Sequence, residues 1–83
     1  LNTTEMAMEF ISFLKKVYPG VLTERYSVDE SKENLEILEE IARIRGCLMK
    51  GNQTDIDKAG RLLLEDFRSL RLGKLSLEVP DAQ

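Results

Sequence analysis

Eight basic side chains crowd the stretch from residue 43 to residue 74: Arg43, Arg45, Lys50, Lys58, Arg61, Arg68, Arg71 and Lys74. Such groups suit phosphate oxygens, which they meet by charge and, for arginine, by a forked pair of N–H donors. The same residue types also compensate the carboxyl ends of helices and keep a surface solvated. Composition alone leaves both readings open.

Other chemistries are narrower. The chain has no histidine, which removes His-based acid–base work, Ser-His and Cys-His nucleophiles and His metal ligands together. Gly46 and Gly51 have the glycine interval of a phosphate-binding loop, but Asn52-Gln53 follow where Lys-Ser/Thr is needed. The adjacent carboxylates Glu39-Glu40 and Glu65-Asp66 would point about 100° apart on a helix and cannot share a site. Asp66 is better placed to hold an arginine from another segment. Cys47 lies between Arg45 and Lys50, whose field favours a thiolate, yet the more ordinary use is as a small hydrophobe filling a helix junction. Phe10, Phe13 and Phe67 fall on expected core stripes. Tyr18 and Tyr26, near turns, are better placed to stack on bases or to hydrogen-bond the turn backbone.

These groups need a scaffold, and 83 residues provide one domain, 1–83, with an ordered core expected over about 5–79. A charged fraction of 33% beside a hydrophobic fraction of 42% fits a soluble globular chain. No apolar run approaches the roughly 20 residues that span a bilayer, so no membrane partner and a cytoplasmic address are expected. One cysteine cannot form an internal disulfide. Leu1 in place of Met suggests a piece of something longer. The net charge of −3 conceals an acidic first half and a basic stretch after Ala42; a polyanion would meet the second half.

The spacing predicts an all-α bundle of three long helices and one short helix with an extended C-terminal tail. Asn2 and Glu5 have capping-box spacing. Met6, Phe10, Phe13, Leu14 and Val17 would line the first helix, which ends near Tyr18 before the Pro19-Gly20 turn. A short helix covers Val21 to Tyr26. A third, capped by Asp29 or Ser31, carries Leu35, Leu38, Ile41, Ala42 and Arg45 inward, with Ile37 and Ile44 on a flank, and stops at Gly46. The last starts at Thr54 or Asp55, turns Ile56, Ala59, Leu63, Phe67 and Leu70 inward and Lys58, Arg61, Glu65 and Arg68 outward, and stops at Gly73. From Leu75 to Val79 the alternation has the period of extended chain.

Particular residues carry a family likeness: Tyr18-Pro19, Glu24-Arg25-Tyr26, Arg45-Gly46-Cys47-Leu48, Asp57, Leu63-Leu64, Asp66-Phe67-Arg68 and the run Leu72-Gly73-Lys74-Leu75-Ser76-Leu77-Glu78. From about Met6 to Pro80 the chain resembles the C-terminal domain of the YlqF/RbgA family of ribosome-biogenesis GTPases. The resemblance implies a helical domain that follows a circularly permuted GTPase domain and helps the parent protein bind ribosomal RNA during late assembly of the large ribosomal subunit. GTP and Mg would belong to that parent, in its GTPase domain. This segment itself is expected to be no enzyme, to hold no cofactor or metal, and to take no small-molecule substrate. The expected partners are ribosomal RNA, the large subunit and the parent's own GTPase domain, with the eight basic residues as the RNA-binding set. The competing reading is a helical protein-interaction or regulatory module that turns Glu33, Glu36 and Glu40 toward a ribosomal protein or the GTPase domain. A helix-turn-helix DNA binder is weaker, because the link between the last two helices exceeds the 3–4 residues of that motif.

Overall fold

A computed structural model of the chain describes residues 2–70. Among these residues the architecture is all-helical: α1 Thr3–Val17, α2 Val21–Tyr26, α3 Asn34–Ile44 and α4 Ile56–Asp66, with a single 3-10 turn at Lys50–Asn52. Helix α1 packs against α4, α3 and α2, and α3 also packs against α4. The expected tail from Leu75 and the stop at Gly73 lie outside the described residues.

Local signals account for most helix ends. The Asn2 side chain accepts from the Glu5 N–H at 2.8 Å while Glu5 Oε1 accepts from the Asn2 N–H at 3.2 Å, so both arms of the capping box form. Asp55 accepts from the Lys58 N–H and opens α4. Gly46, at φ 71°, closes α3. There the Cys47 N–H donates to Ala42 O at 2.7 Å and the Gly46 N–H to Arg43 O at 3.3 Å. This is the paired closure that a left-handed residue permits and that satisfies carbonyls a helix end leaves free. Cys47 is buried and packs with the core, as the small-hydrophobe reading expects.

The start of α3 differs from expectation. Glu33, rather than Asp29 or Ser31, is its N-cap, paired with Glu36. Asp29 instead accepts from the Ser31 N–H and hydroxyl, closing its own turn. Neighbouring Glu30 reaches backward to α2, accepting from the backbone N–H groups of Gly20, Leu22 and Thr23 at 2.9, 2.8 and 3.0 Å. Partial burial pushes this carboxyl toward neutrality, but the backbone donors outweigh it and hold its pKa below the ordinary value. A helix of six residues cannot stand alone. Replacing Glu30 by Ala is therefore expected to cost about 1–2 kcal/mol in urea unfolding, the range of a lost cap; an unchanged midpoint would remove Glu30 from the account of α2.

The core is rotated from the expected stripes in two helices. On α1 the buried residues are Ala7, Phe10, Ile11 and Leu14, whereas Met6 and Val17 are 39% and 48% exposed. On α3 they are Ile37, Leu38, Ile41 and Ala42, with Leu35 and Ile44 exposed. On α4 Ala59, Leu63 and Phe67 are buried as expected, joined by Gly60 and Leu64. Gly60 has a steric role: a Cβ at this position would stand 3.2 Å from Ala7 Cβ and 3.6 Å from Thr3 O. The missing side chain is what lets α1 and α4 approach.

Helix α4 also ends sooner than the apolar period implies. Phe67 leaves helical geometry at φ −107°, ψ 28°, and helical turns resume over residues 68–70. Its ring is buried against Phe10 and Tyr26, with centroids 6.0 and 6.3 Å away.

Candidate functional site

The basic residues singled out in the sequence fall in three places. Arg43 and Arg45 stand at the end of α3, Lys50 opens the 3-10 turn, and Lys58, Arg61 and Arg68 are exposed on the outer side of α4 and just beyond it. Arg71 and Lys74 lie outside the described residues. Carboxylates share the α4 face: Arg61 Nη1 is 2.6 Å from Asp57 Oδ2 and Arg68 Nη1 is 3.7 Å from Glu65 Oε2. Both arginines remain open to solvent, at 62% and 69% side-chain exposure, and pairs this exposed hold their partners weakly. An incoming phosphate would compete with one carboxylate at each position.

Arg45 belongs to a different arrangement. Its guanidinium carbon lies 4.9 Å from the centroid of the Tyr26 ring, and its Nη2 is 3.5 Å from Arg25 O. Tyr26 is buried, and its hydroxyl donates to Asp66 Oδ2 at 2.6 Å, not to the turn backbone. Its ring is therefore not available to stack on a base. Asp66 Oδ2 also accepts from Arg25 Nε at 3.2 Å, as the expectation that Asp66 holds an arginine anticipates. Arg25 in turn sits 6.0 Å from the Phe67 centroid. One carboxylate thus ties α2 to α4, while the arginine that caps α3 covers the ring between them. For Asp66, burial opposes the charge, and the hydrogen bonds from Tyr26 and Arg25 more than offset it, so its pKa falls below the usual value. For Tyr26, burial and the Asp66 carboxylate push the pKa well above its ordinary value. The phenol stays neutral and donating.

The residues meeting here are those quoted for the family likeness: Arg25-Tyr26, Arg45 and Asp66-Phe67. Ribosome biogenesis GTPase A of Bacillus cereus is 39% identical over 82 residues, which is 98% of this chain and 28% of that protein. The Bacillus licheniformis protein of the same name is 35% identical over 98% of the chain and 29% of its own length. The chain is a relative of ribosome biogenesis GTPase A. It spans under a third of the ribosome biogenesis GTPase A proteins it matches, and the likeness to the C-terminal domain of that family holds along nearly all of it. A nucleolar GTP-binding protein 2 of Neurospora crassa is 35% identical over 65% of the chain and 9% of its own length. No family model matches the chain, and no solved structure gives a significant match.

The ribosome biogenesis GTPase A likeness directs attention to surfaces rather than to a catalytic cleft. Among the described residues no group of three or more Asp, Glu or Cys side chains is arranged to hold a metal ion, and no helix is long and apolar enough to cross a membrane. An open groove between α1 and α3, lined by Glu5, Met8, Glu9, Ser12 and Asn34, is acidic and turned away from anionic ligands. Its Asn34 amide is engaged by Met8 O and Ser12 Oγ.

Proposed function

We propose that this chain is the RNA-docking domain of a ribosome-assembly GTPase, anchoring its parent on large-subunit ribosomal RNA in the cytoplasm during late subunit maturation. GTP and Mg are handled by a GTPase domain outside this segment, which itself performs no catalysis. The reading is carried by the outer face of α4: Lys58, Arg61 and Arg68 are exposed on a helix whose other side is buried, in a chain similar throughout to ribosome biogenesis GTPases. Arg43, Lys50, Arg71 and Lys74 extend the set. An A-form RNA helix would be met through its backbone, which several such cations contact without reading bases.

Reversing both Arg61 and Arg68 to Glu tests this. Binding to an immature large subunit is expected to weaken about tenfold or more at physiological salt, since phosphate contacts are lost and repulsion replaces them, with helicity by circular dichroism unchanged. Full affinity in the double variant overturns the proposal.

A second reading, a helical module gripping a ribosomal protein or the GTPase domain, draws on Ile44, Leu48 and Met49, which are 52%, 42% and 49% exposed close together in the chain. Competition separates the two. Ribosomal RNA displaces the domain from the subunit in the first case, and a ribosomal protein or the GTPase domain displaces it in the second.

A further inference from the structure

Arg25 lies in the acidic half of the chain, and neither charge balance nor the α4 face draws attention to it. The fold nevertheless brings it beside Arg45. Arg25 is in the last turn of α2, Arg45 caps α3, and Asp66 is the last residue of α4. Three helix carboxyl ends thus meet, and cations are favoured at such ends. A single carboxylate stands between these two arginines, and Asp66 feels the charge of both.

Few of their N–H donors are in use. A guanidinium carries five, yet Arg25 spends Nε on Asp66 and Arg45 spends one Nη2 donor on Arg25 O at the long distance of 3.5 Å. Both residues are exposed. Their guanidinium groups are also held: Arg45 by the face of Tyr26, Arg25 by Asp66 and by the Phe67 ring. A side chain fixed before its ligand arrives gives up less rotational freedom on binding. Arginine's planar fork matches phosphate oxygens in a way that lysine's point charge does not.

We infer that Arg25 and Arg45, backed by Phe67 and Tyr26 and set by Asp66, form a preorganised clamp for backbone phosphate of an A-form RNA helix. The inference rests on the RNA-docking reading above and adds a contact point at the joined ends of α2, α3 and α4. Asp66 is a positioning residue in it, since it acts only through Arg25 and Tyr26.

The test measures binding of this chain to an A-form RNA duplex across a range of salt concentrations. Arg25→Gln and Arg45→Gln are each expected to weaken binding and to reduce the slope of log affinity against log salt by about 0.7–0.9, the mark of one phosphate contact. Arg45→Lys should keep most of the slope and lose affinity. The sharpest outcome concerns Asp66→Asn. Simple electrostatics has RNA bind more tightly once a negative charge is removed, whereas the clamp requires weaker binding because Arg25 is released. Folding is checked for each variant by circular dichroism at the assay temperature. Tighter binding by Asp66→Asn, or unchanged slopes in both glutamine variants, overturns the clamp. If those variants bind normally while the Arg61/Arg68 reversal does not, the docking reading stands without it. If the unaltered chain binds no RNA, both fall.

Discussion

Replacing Gly60 by Leu is expected to lower the stability of this domain by about 3 kcal/mol, near the upper end for overpacked sites. Two effects compete. A leucine recovers roughly 0.8 kcal/mol of helix propensity that glycine forgoes. Against this, even its first carbon would stand 3.2 Å from Ala7 Cβ, and the rest of the side chain would occupy space now filled by α1. Ala7 is fully buried and the nearby Thr3 oxygen belongs to backbone, so no flexible group can swing aside. The steric effect wins. For a domain of this size, that loss corresponds to a fall in Tm on the order of 10 °C or more. Gly60→Ala adds only the first carbon; there the propensity gain and a small shift of α1 nearly balance, within about 1 kcal/mol. Urea unfolding of the two variants reads this directly, and a Gly60→Leu protein as stable as the parent would show that α1 and α4 do not meet at this glycine.

Asp66→Ala should have the second largest effect, about 2 kcal/mol at neutral pH. Its removal leaves the hydroxyl of buried Tyr26 without its acceptor, and a stranded buried donor costs about 1–3 kcal/mol. The effect has a definite pH dependence. Folding holds the Asp66 pKa below its ordinary value, so its contribution is fully present above the unfolded value of about 3.9 and is lost as pH falls through the lower, folded value. The gap between parent and Asp66→Ala is therefore expected to narrow on acidification below about pH 4, with Glu30, shifted the same way, contributing equally to both. At the alkaline end the sign reverses. Tyr26 has a raised pKa in the folded state, so its contribution is intact below the ordinary phenol value of about 10 and fades as pH climbs toward the folded one. A gap that widened in acid would remove the charged hydrogen bond from the account.

What could be read from the sequence depended on how far apart the cooperating residues lie. The Asn2–Glu5 cap, the span of α2 and the stop at Gly46 involve residues a few positions apart, and each was legible as a local pattern. The cap on α2 was not, because Glu30 reaches back across the turn to amides at 20, 22 and 23. Periodicity placed an apolar stripe on α1 but rotated it toward Met6 and Val17 instead of Ala7 and Ile11. That helix packs against three others, and its buried arc is set by where they lie. Small residues such as Ala7 and Gly60 carry little apolar weight in a pattern, yet they occupy the closest approach. The outward position of Lys58, Arg61 and Arg68 was legible from helical spacing alone. The partnership of Arg45 with Tyr26 and Arg25 was not, since it joins positions about twenty residues apart.

The link from α3 to α4 is shorter in space than in sequence. Leu48 and Thr54 form an antiparallel bridge, the Asp55 N–H donates to Cys47 O at 2.7 Å, and the Met49 N–H donates to Gln53 O at 2.6 Å. The two helices are buckled at their junction, so a pull on the outer cations of α4 is transmitted to α3 as torque and not absorbed as slack. In hydrogen–deuterium exchange, the amides of Met49 and Asp55 should behave like helix interior despite lying in a connecting segment.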